Sequence, residues 1–244
     1  MSGPAIEIRG LDFTYPGGEA PVLRSIELTV PAGARCLLLG ANGAGKTTLL
    51  HLVAGRHLEA DAAVRVLGRP AFSDTSLATR VSFIGGSFPF DVDLGVNEIL
   101  ARRTNVEAAR RDHLVRVLAV DPRWRMSRVS DGQRRRVQIL LGLLGLYEVL
   151  LLDEVTTDLD VIARADLLAF LRRESEERGA TIVYATHVLD GMEAWATHLA
   201  YLDHGVMRLM QPLGEVAELE ALRKSGSSAP LLRLVEAWLR RDAR

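Results

Sequence analysis

The chain has 244 residues, of which 48% are hydrophobic and 25% charged, a composition typical of a globular protein with a large core. This composition excludes disorder, collagen and low-complexity fibres for most of the chain. Thirty basic and thirty-one acidic side chains leave a net charge of −1, so no overall field favours nucleic acid or anionic lipid. The single cysteine, Cys36, favours a reducing compartment, residues 1–10 lack a secretion signal, and the most apolar stretch, residues 137–152, is shorter than a bilayer span. We therefore expect a soluble cytoplasmic protein, also nuclear if the source is eukaryotic, with no direct nucleic-acid partner.

The first forty residues have the pattern of a β-rich segment. Apolar and polar residues alternate in Ile6–Arg9, Leu11–Tyr15 and Val22–Val30, with Pro/Gly turns after the second and third runs. The run Cys36–Leu39 is uninterruptedly apolar, which predicts a strand buried on both faces of a parallel sheet.

A glycine-rich loop follows this strand and precedes a predicted helix, Thr48–Ala54. Its sequence, Gly40-Ala-Asn-Gly-Ala-Gly45-Lys46-Thr47, matches G-x-x-x-x-G-K-[ST]. Glycines let successive backbone N–H groups point at phosphate oxygens, and the helix N-terminus adds its positive dipole end. Lys46 can reach the β- and γ-phosphates and Thr47 can ligate Mg²⁺. The alternative, an accidental glycine-rich turn, is disfavoured by the complete spacing.

Strands and helices alternate again after a helical middle. Residues 70–145 are predicted to be mostly helical, apart from a strand at Val81–Ile84. Val149–Leu152 and Thr181–Ala185 are short apolar runs typical of buried strands, and Val161–Arg178 is predicted to be an amphipathic helix. Two strand-rich blocks around a helical insert indicate an α/β core with a helical subdomain.

Polar residues follow two of these buried strands. Asp153 lies where a parallel sheet places its ligands and can hold Mg²⁺, and Glu154 can polarise an attacking water as a general base. The alternative for this pair is an acidic turn. His187 either hydrogen-bonds a γ-phosphate or the attacking water, or caps the end of its strand.

The segment Val129–Arg136 opens a strongly periodic helix and has two compatible interpretations. Ser130 and Gln133 fit a capping box, and a capped helix N-terminus that carries a hydroxyl and Gly132 also binds anions well. The run Arg134–Arg136 is more typical of a solvated helix face than of a nucleic-acid contact.

Two further features each have two interpretations. Tyr15 precedes a turn and either stacks on a purine ring or is a core aromatic. After a linker-like stretch, a C-terminal helix is predicted that either packs on the protein's own core or docks on another protein. The apolar residues on one face of this helix are Leu231, Leu232, Val235, Trp238 and Leu239.

Together, these motifs resemble the ATP-binding-cassette (ABC) ATPase superfamily over about residues 5–225. Residues 40–48 resemble its Walker A loop, Asp153-Glu154 its Walker B motif with the catalytic glutamate, and Ser130–Gln133 its signature. The resemblance implies an α/β fold, a P-loop NTPase cassette with a mixed-sheet core, an antiparallel β subdomain and a helical signature subdomain at about residues 88–145. It also implies a nucleotide-binding domain at 1–225, followed by a linker and an amphipathic helix at 226–244.

The resemblance further implies the cofactors ATP and Mg²⁺ and a set of site residues. The catalytic residues would be Glu154, Lys46 and His187, the switch histidine, and the metal ligands Thr47 and Asp153. The nucleotide-binding residues would be Tyr15, Gly40, Ala41, Asn42, Gly43, Ala44, Gly45, Lys46, Thr47, Thr48, Ser130, Gly132, Gln133 and the D-loop aspartate Asp160.

In this family the signature of one subunit completes the ATP site of another, so a single cassette implies a head-to-tail homodimer. Three segments depart from the usual pattern. Val129 and Asp131 replace a leucine and a glycine of the signature, and Val155–Asp158 replaces the usual Pro-Thr-Ser-Ala. Gly85-Gly86-Ser87 stands where a glutamine that touches Mg²⁺ and relays closure to a membrane permease is normal.

These departures resemble a small group of soluble stand-alone ABC proteins, typified by a fungal factor associated with the carbon-catabolite-repression–Not complex. The segments that carry this resemblance are Asp121–Gln133, Asp153–Val161 and Tyr184–Gly191. It implies an ATPase that switches a soluble regulatory partner in transcription or mRNA turnover. The alternatives are the ATPase subunit of a transporter with a separately encoded membrane permease, and a nucleotide-dependent binding module with negligible turnover.

Overall fold

The computed structural model describes residues 3–58, 63–86, 93–157 and 159–242. The strands are β1 (Ile6–Phe13), β2 (Leu23–Val30), β3 (Arg35–Leu39), β4 (Val64–Val66), β5 (Arg69–Pro70), β6 (Val81–Ile84), β7 (Val149–Asp153), β8 (Thr181–Ala185), β9 (His198–Asp203) and β10 (Val206–Pro212). The α-helices are α1 (Lys46–Val53), α2 (Val96–Ala101), α3 (Ala108–Val117), α4 (Asp131–Leu143), α5 (Val161–Arg178), α6 (Met192–Trp195), α7 (Ala217–Lys224) and α8 (Pro230–Asp242).

The larger sheet has the order β10-β9-β3-β8-β7-β6, and all of its pairs are parallel except β10 with β9. Every residue of β3, β7 and β8 is buried, which is why these strands are continuous apolar runs in the sequence. The predicted mixed-sheet α/β core is confirmed. Because the strands are parallel, the loops after β3, β6, β7 and β8 all leave from the same edge of the sheet.

The smaller sheet is antiparallel, with the order β2-β1-β4-β5. Its alternating sequence follows from one buried and one exposed face. The runs predicted as two strands, Ile6–Arg9 and Leu11–Tyr15, form the single strand β1, which ends at Phe13. A register shift between Ile8 and Leu11 interrupts the pairing with β2 around Gly10, whose φ is +57°.

The helical segment predicted to begin at about residue 70 begins later. Residues 69–84 contain β5, a 3₁₀ helix at Thr75–Thr79 and the predicted strand β6, and α2 starts at Val96. Helix α4 packs against β6, where Ser82 Oγ donates to the carbonyl of Gly142 at 2.8 Å. A Cβ on Gly142 would lie 2.5 Å from Ile84 Cγ1, so this glycine permits the close approach of helix and strand.

The C-terminal helix α8 packs on the protein's own core, as one of its two interpretations predicted. Leu231, Val235 and Trp238 are buried, and the Trp238 ring lies 4.7 Å from that of Tyr201. The predicted apolar face is wrong at one position, because Leu232 is exposed and Leu234 is buried instead. The division at residue 225 stays a proposal about domain boundaries. Among the described residues, no helix is both long and apolar enough to cross a bilayer.

Candidate functional site

The glycine-rich loop connects β3 to α1 at the edge of the sheet where the parallel strands end. Its glycines are required by conformation and by close contact. Gly45 has a φ of +105°, which disfavours any residue with a Cβ, and it precedes the first residue of α1. A Cβ on Gly40 would overlap the carbonyl oxygen of Leu202. The loop therefore presents backbone, together with the positive end of α1, to whatever binds there.

Lys46, the first residue of α1, lies across this loop and is buried. Its Nζ donates to the carbonyls of Gly40 at 2.8 Å and Ala41 at 3.0 Å. Burial lowers the pKa of Lys46, and the nearby carboxylates of Glu154 and Asp153 partly oppose this effect. The ammonium is thus desolvated and held at the loop, where an incoming phosphate can replace the two carbonyls as its partner.

Thr47 and Asp153 meet beneath the loop. The Thr47 hydroxyl donates to Asp153 Oδ2 at 2.7 Å, and Asp153 is buried at the end of β7. One hydroxyl and one carboxylate are hard oxygen ligands, and Mg²⁺ in phosphate sites is commonly held by one or two such groups, with phosphate and water oxygens completing the octahedron. The residues therefore fit a magnesium ion that arrives with a nucleotide.

Glu154 follows at the mouth of the site in a strained backbone conformation. Its φ is +51°, and its backbone N–H donates to the carbonyl of Ala185 at 2.9 Å. A left-handed conformation at a residue other than glycine costs about 1–3 kcal/mol and is typical of functional positions. His187 Nδ1 lies 2.9 Å from Glu154 Oε2, and the His187 backbone N–H donates to the same oxygen at 3.3 Å.

Tyr15 lies at the rim of the loop, as neither a core residue nor a free ring. It is 36% exposed, and its hydroxyl hydrogen-bonds Thr48 Oγ1 at 3.0 Å. Its ring makes T-shaped contacts with Phe13 and with His57, at 5.1 and 5.2 Å between centroids. The contact adds His57 to the residues at this rim, and its sequence signal is a histidine soon after the phosphate loop.

The signature residues form a second surface. Ser130 caps α4 in a complete capping box, because its Oγ accepts from the Gln133 N–H and Gln133 Oε1 accepts from the Ser130 N–H. Ser130 is exposed and Gly132 and Gln133 are partly exposed. In the described part of the chain, the cleft at the loop is lined by Val22, Asn42, Gly43, Gly45, Lys46, Thr47, Thr48, Asp153 and Glu154. No signature residue is in that set, so one chain does not bring the two surfaces together.

Asp160 belongs with this second surface. It caps α5 by accepting from the Ala163 N–H at 2.8 Å, and it pairs with Arg136 Nη2 at 2.5 Å. The backbone hydrogen bond from Ala163 and then the bond to Arg136 lower its pKa. The three arginines of the run Arg134–Arg136 are partly exposed, and two of them also make specific bonds: Arg135 donates to the Gly86 carbonyl at 2.9 Å and Arg136 links α4 to Asp160.

Two of the departures from the family pattern lie partly outside the described residues. Ser87 and Asp158 belong to that undescribed part. Gly85 and Gly86, which stand in place of the expected glutamine, are described and directly follow β6.

Comparison with known proteins gives a consistent result. The family model described as ABC transporter matches residues 23–157. The chain is 46% identical to ABC transporter I family member 20 of Arabidopsis thaliana, over 97% of this chain and 76% of that protein. It is 41% identical to CCR4-associated factor 16 of Saccharomyces cerevisiae, over 82% of this chain and 76% of that protein.

A solved structure of a dimeric ATP-binding cassette, in a post-hydrolysis state with ADP and phosphate, is 20% identical and has a TM-score of 0.73 over 85% of this chain and 98% of its own. At that identity the likeness shows the fold. The phosphate loop, the Walker B strand end and the capped signature helix, together with the family match, show that this chain belongs to the ABC ATPase family.

Proposed function

We propose that this protein binds Mg-ATP, dimerises head-to-tail and hydrolyses ATP. The observation that carries the proposal is the convergence, at one loop, of a buried lysine, a hydroxyl–carboxylate pair and a Glu–His pair. Phosphoryl transfer to water needs these groups, because catalysis consists mostly of positioning and of neutralising charge on the phosphates.

Each residue has a defined part in the proposed reaction. The loop amides of residues 40–48 bind the β- and γ-phosphates, and Lys46 donates to their oxygens. Thr47 and Asp153 would hold Mg²⁺, whose charge would offset that of the phosphates. Glu154 orients the attacking water and accepts its proton, while His187 holds the carboxylate through the 2.9 Å contact and is exposed enough to reach a γ-phosphate.

The proposed dimer places the signature of one copy over the loop of the other. Ser130, Gly132 and Gln133 lie outside the cleft of their own chain, which supports a role in trans. The exposed, capped N-terminus of α4 is suited to an anion. The solved cassette with ADP and phosphate is dimeric, which supports dimer formation by this chain.

A mixed-subunit experiment tests the dimer and the hydrolysis together. Lys46→Met removes the loop's cation and Ser130→Arg blocks the signature, so each variant alone should be inactive. In a head-to-tail dimer one of the two sites of the mixed species keeps both intact halves, so an equimolar mixture should recover about a quarter of wild-type turnover. No recovery, when size-exclusion chromatography shows mixed dimers, would contradict composite sites.

We also propose that the cycle acts on a regulatory protein in transcription or mRNA turnover rather than on a permease. The likeness to CCR4-associated factor 16 supports this, as does the glycine pair in place of the glutamine that serves a permease in transporter cassettes. Glu154→Gln with ATP is the bait for affinity capture from native cells, and Glu154→Gln/Lys46→Met is the matched control. Transcription or RNA-turnover factors recovered only by the first bait support the proposal, whereas a stoichiometric polytopic membrane protein establishes the transporter alternative.

A further inference from the structure

Gly85 and Gly86, the described residues of the loop after β6, bring backbone without side chains next to the proposed metal site. A Cβ on Gly85 would lie 2.7 Å from the Cβ of Asp153 and 2.9 Å from Phe83 Cζ, so position 85 does not admit a side chain without moving Asp153. Gly86 follows in the left-handed region, with a φ of +67°. The backbone of Gly85 is therefore packed directly against the side chain that accepts the Thr47 hydrogen bond.

Two side chains of α4 bind the carbonyls of this loop. Gln138 Nε2 donates to the Gly85 oxygen at 3.1 Å, and Arg135 Nη1 donates to the Gly86 oxygen at 2.9 Å. Arg135 Nη1 also donates to Gln138 Oε1 at 2.6 Å, so the amide of Gln138 is used at both ends. The two residues are three apart and share one face of the helix, as this network requires.

Helix α4 cannot slide freely relative to the loop. The contact between Gly142 and Ile84 and the bond from Ser82 fix its second half on β6. One to two turns earlier, Arg135 and Gln138 hold the loop that follows the same strand. The signature begins at Ser130, the N-cap of α4. The same helix therefore carries the signature at its start and, in its middle, the side chains that bind the carbonyls of Gly85 and Gly86.

We propose that Gln138, supported by Arg135, is a positioning residue for the metal–phosphate site, which links the signature helix to Asp153 through the backbone of Gly85. This inference rests on the proposed ATP hydrolysis. A displacement of α4, such as docking of the signature on another copy's nucleotide would cause, moves the Gly85 backbone and with it the packing of Asp153. Through this link α4 positions Asp153. A side chain at position 85 could not do so, because there is no room for its Cβ.

The test compares Gln138→Met, which keeps the volume but removes the amide, with Gln211→Met on β10. Gln211 donates to the carbonyl of Glu215 and provides the same chemical change away from the site. Gln138→Glu is the second variant, because a carboxylate keeps the partnership with Arg135 but cannot donate to Gly85. Two readouts are measured: ATP turnover, and ATP affinity by calorimetry with Mg²⁺ and with EDTA.

For both Gln138 variants we expect turnover to fall about tenfold, because a displaced Asp153 no longer holds the reacting phosphate in the correct orientation. Metal-free ATP affinity should stay within about twofold of wild type, while the gain in affinity on adding Mg²⁺ shrinks. Gln211→Met should match wild type in both readouts. Wild-type turnover and Mg²⁺ response in both Gln138 variants, or an equal loss of metal-free and Mg²⁺-dependent affinity, would overturn the inference. Absence of turnover in wild type would instead refute the proposed function, and the Mg²⁺ response of binding would still test the link.

Discussion

The phosphate loop and the signature helix differ in how complete they are within one chain. At the loop, a buried lysine, a bonded Thr47–Asp153 pair and a Glu154–His187 pair converge on the same cleft. At the signature, Ser130 caps α4 and is exposed, and in the described part of the chain it lines no part of that cleft. The first region brings together the lysine, the proposed metal ligands and the proposed general base, whereas the second is a surface that only a partner copy would bring to a nucleotide.

The two regions are therefore preorganised by different interactions. The loop is set by close packing at Gly40 and Gly45, where an added Cβ would overlap Leu202 or Leu23. The signature is set by helix-end hydrogen bonds and by arginines that join α4 to two neighbouring loops. Loss of a loop residue should therefore weaken nucleotide binding by a single chain, whereas loss of a signature side chain should leave that binding unchanged and lower turnover in the proposed dimer.

The largest effect is expected for Glu154→Gln. It removes the proposed general base but keeps the side-chain volume, so turnover should fall about 10²–10⁴-fold while ATP still binds. Steady-state phosphate release and calorimetry measure the two quantities. Glu148→Gln, at the other end of the same strand and paired with Arg80, is the matched control and should keep its turnover. A Glu154→Gln protein as active as this control would contradict the assignment.

Lys46→Met is expected to weaken binding. A charge-assisted hydrogen bond contributes about 1.5–3 kcal/mol, so ATP affinity should fall about 10–150-fold. The chain has one other lysine, Lys224 at the end of α7, and Lys224→Met is the control for loss of the same charge. Equal affinities in the two variants, measured by fluorescent-nucleotide titration, would show that the loop binds ATP without its cation.

Ser130 separates the two interpretations of the signature. Ser130→Ala removes the cap, which should cost about 1 kcal/mol and lower Tm by about 2–4 °C, while ATP binding to the single chain stays unchanged. Ser130→Asp restores a good cap but places a negative charge next to the proposed position of the nucleotide phosphate that is bound by the other copy. Recovery of Tm without recovery of turnover is the expected result, and recovery of both would leave Ser130 a purely structural role.

The smallest expected effect is a pH dependence on the loop side. Burial, with contributions from Arg56 and His57, lowers the pKa of His51 below its ordinary 6.5. The unfolded chain then binds the proton more readily than the folded one, so the stability that neutral His51 contributes is present above pH 6.5 and is lost as pH falls below it. Tm at pH 7.5 and 5.5 checks this, since His51→Gln should reduce the fall. An identical fall in the variant would exclude His51 as a contributor.

Much of the nucleotide loop was predictable because its determinants are local. The spacing from Gly40 to Thr47, the buried runs of β3, β7 and β8, and the Ser130–Gln133 capping box need only near neighbours in the chain, and all are present as predicted. The roles assigned to these residues in ATP binding and hydrolysis stay predictions. The left-handed backbone conformation of Glu154 could not be predicted from the sequence, because it depends on the hydrogen bond between the ends of β7 and β8.

The α/β fold class, the phosphate loop and the helix that carries the signature could all be predicted from local patterns, because hydrophobic period, glycine spacing and capping act within a few residues. Which distant groups meet is visible only in the folded chain: Arg136 with Asp160, Gln138 with Gly85, and Leu234 rather than Leu232 with the core. Each of these pairings depends on the relative placement of separate elements. That placement follows from the packing of the whole core, about which short-range sequence patterns carry no information.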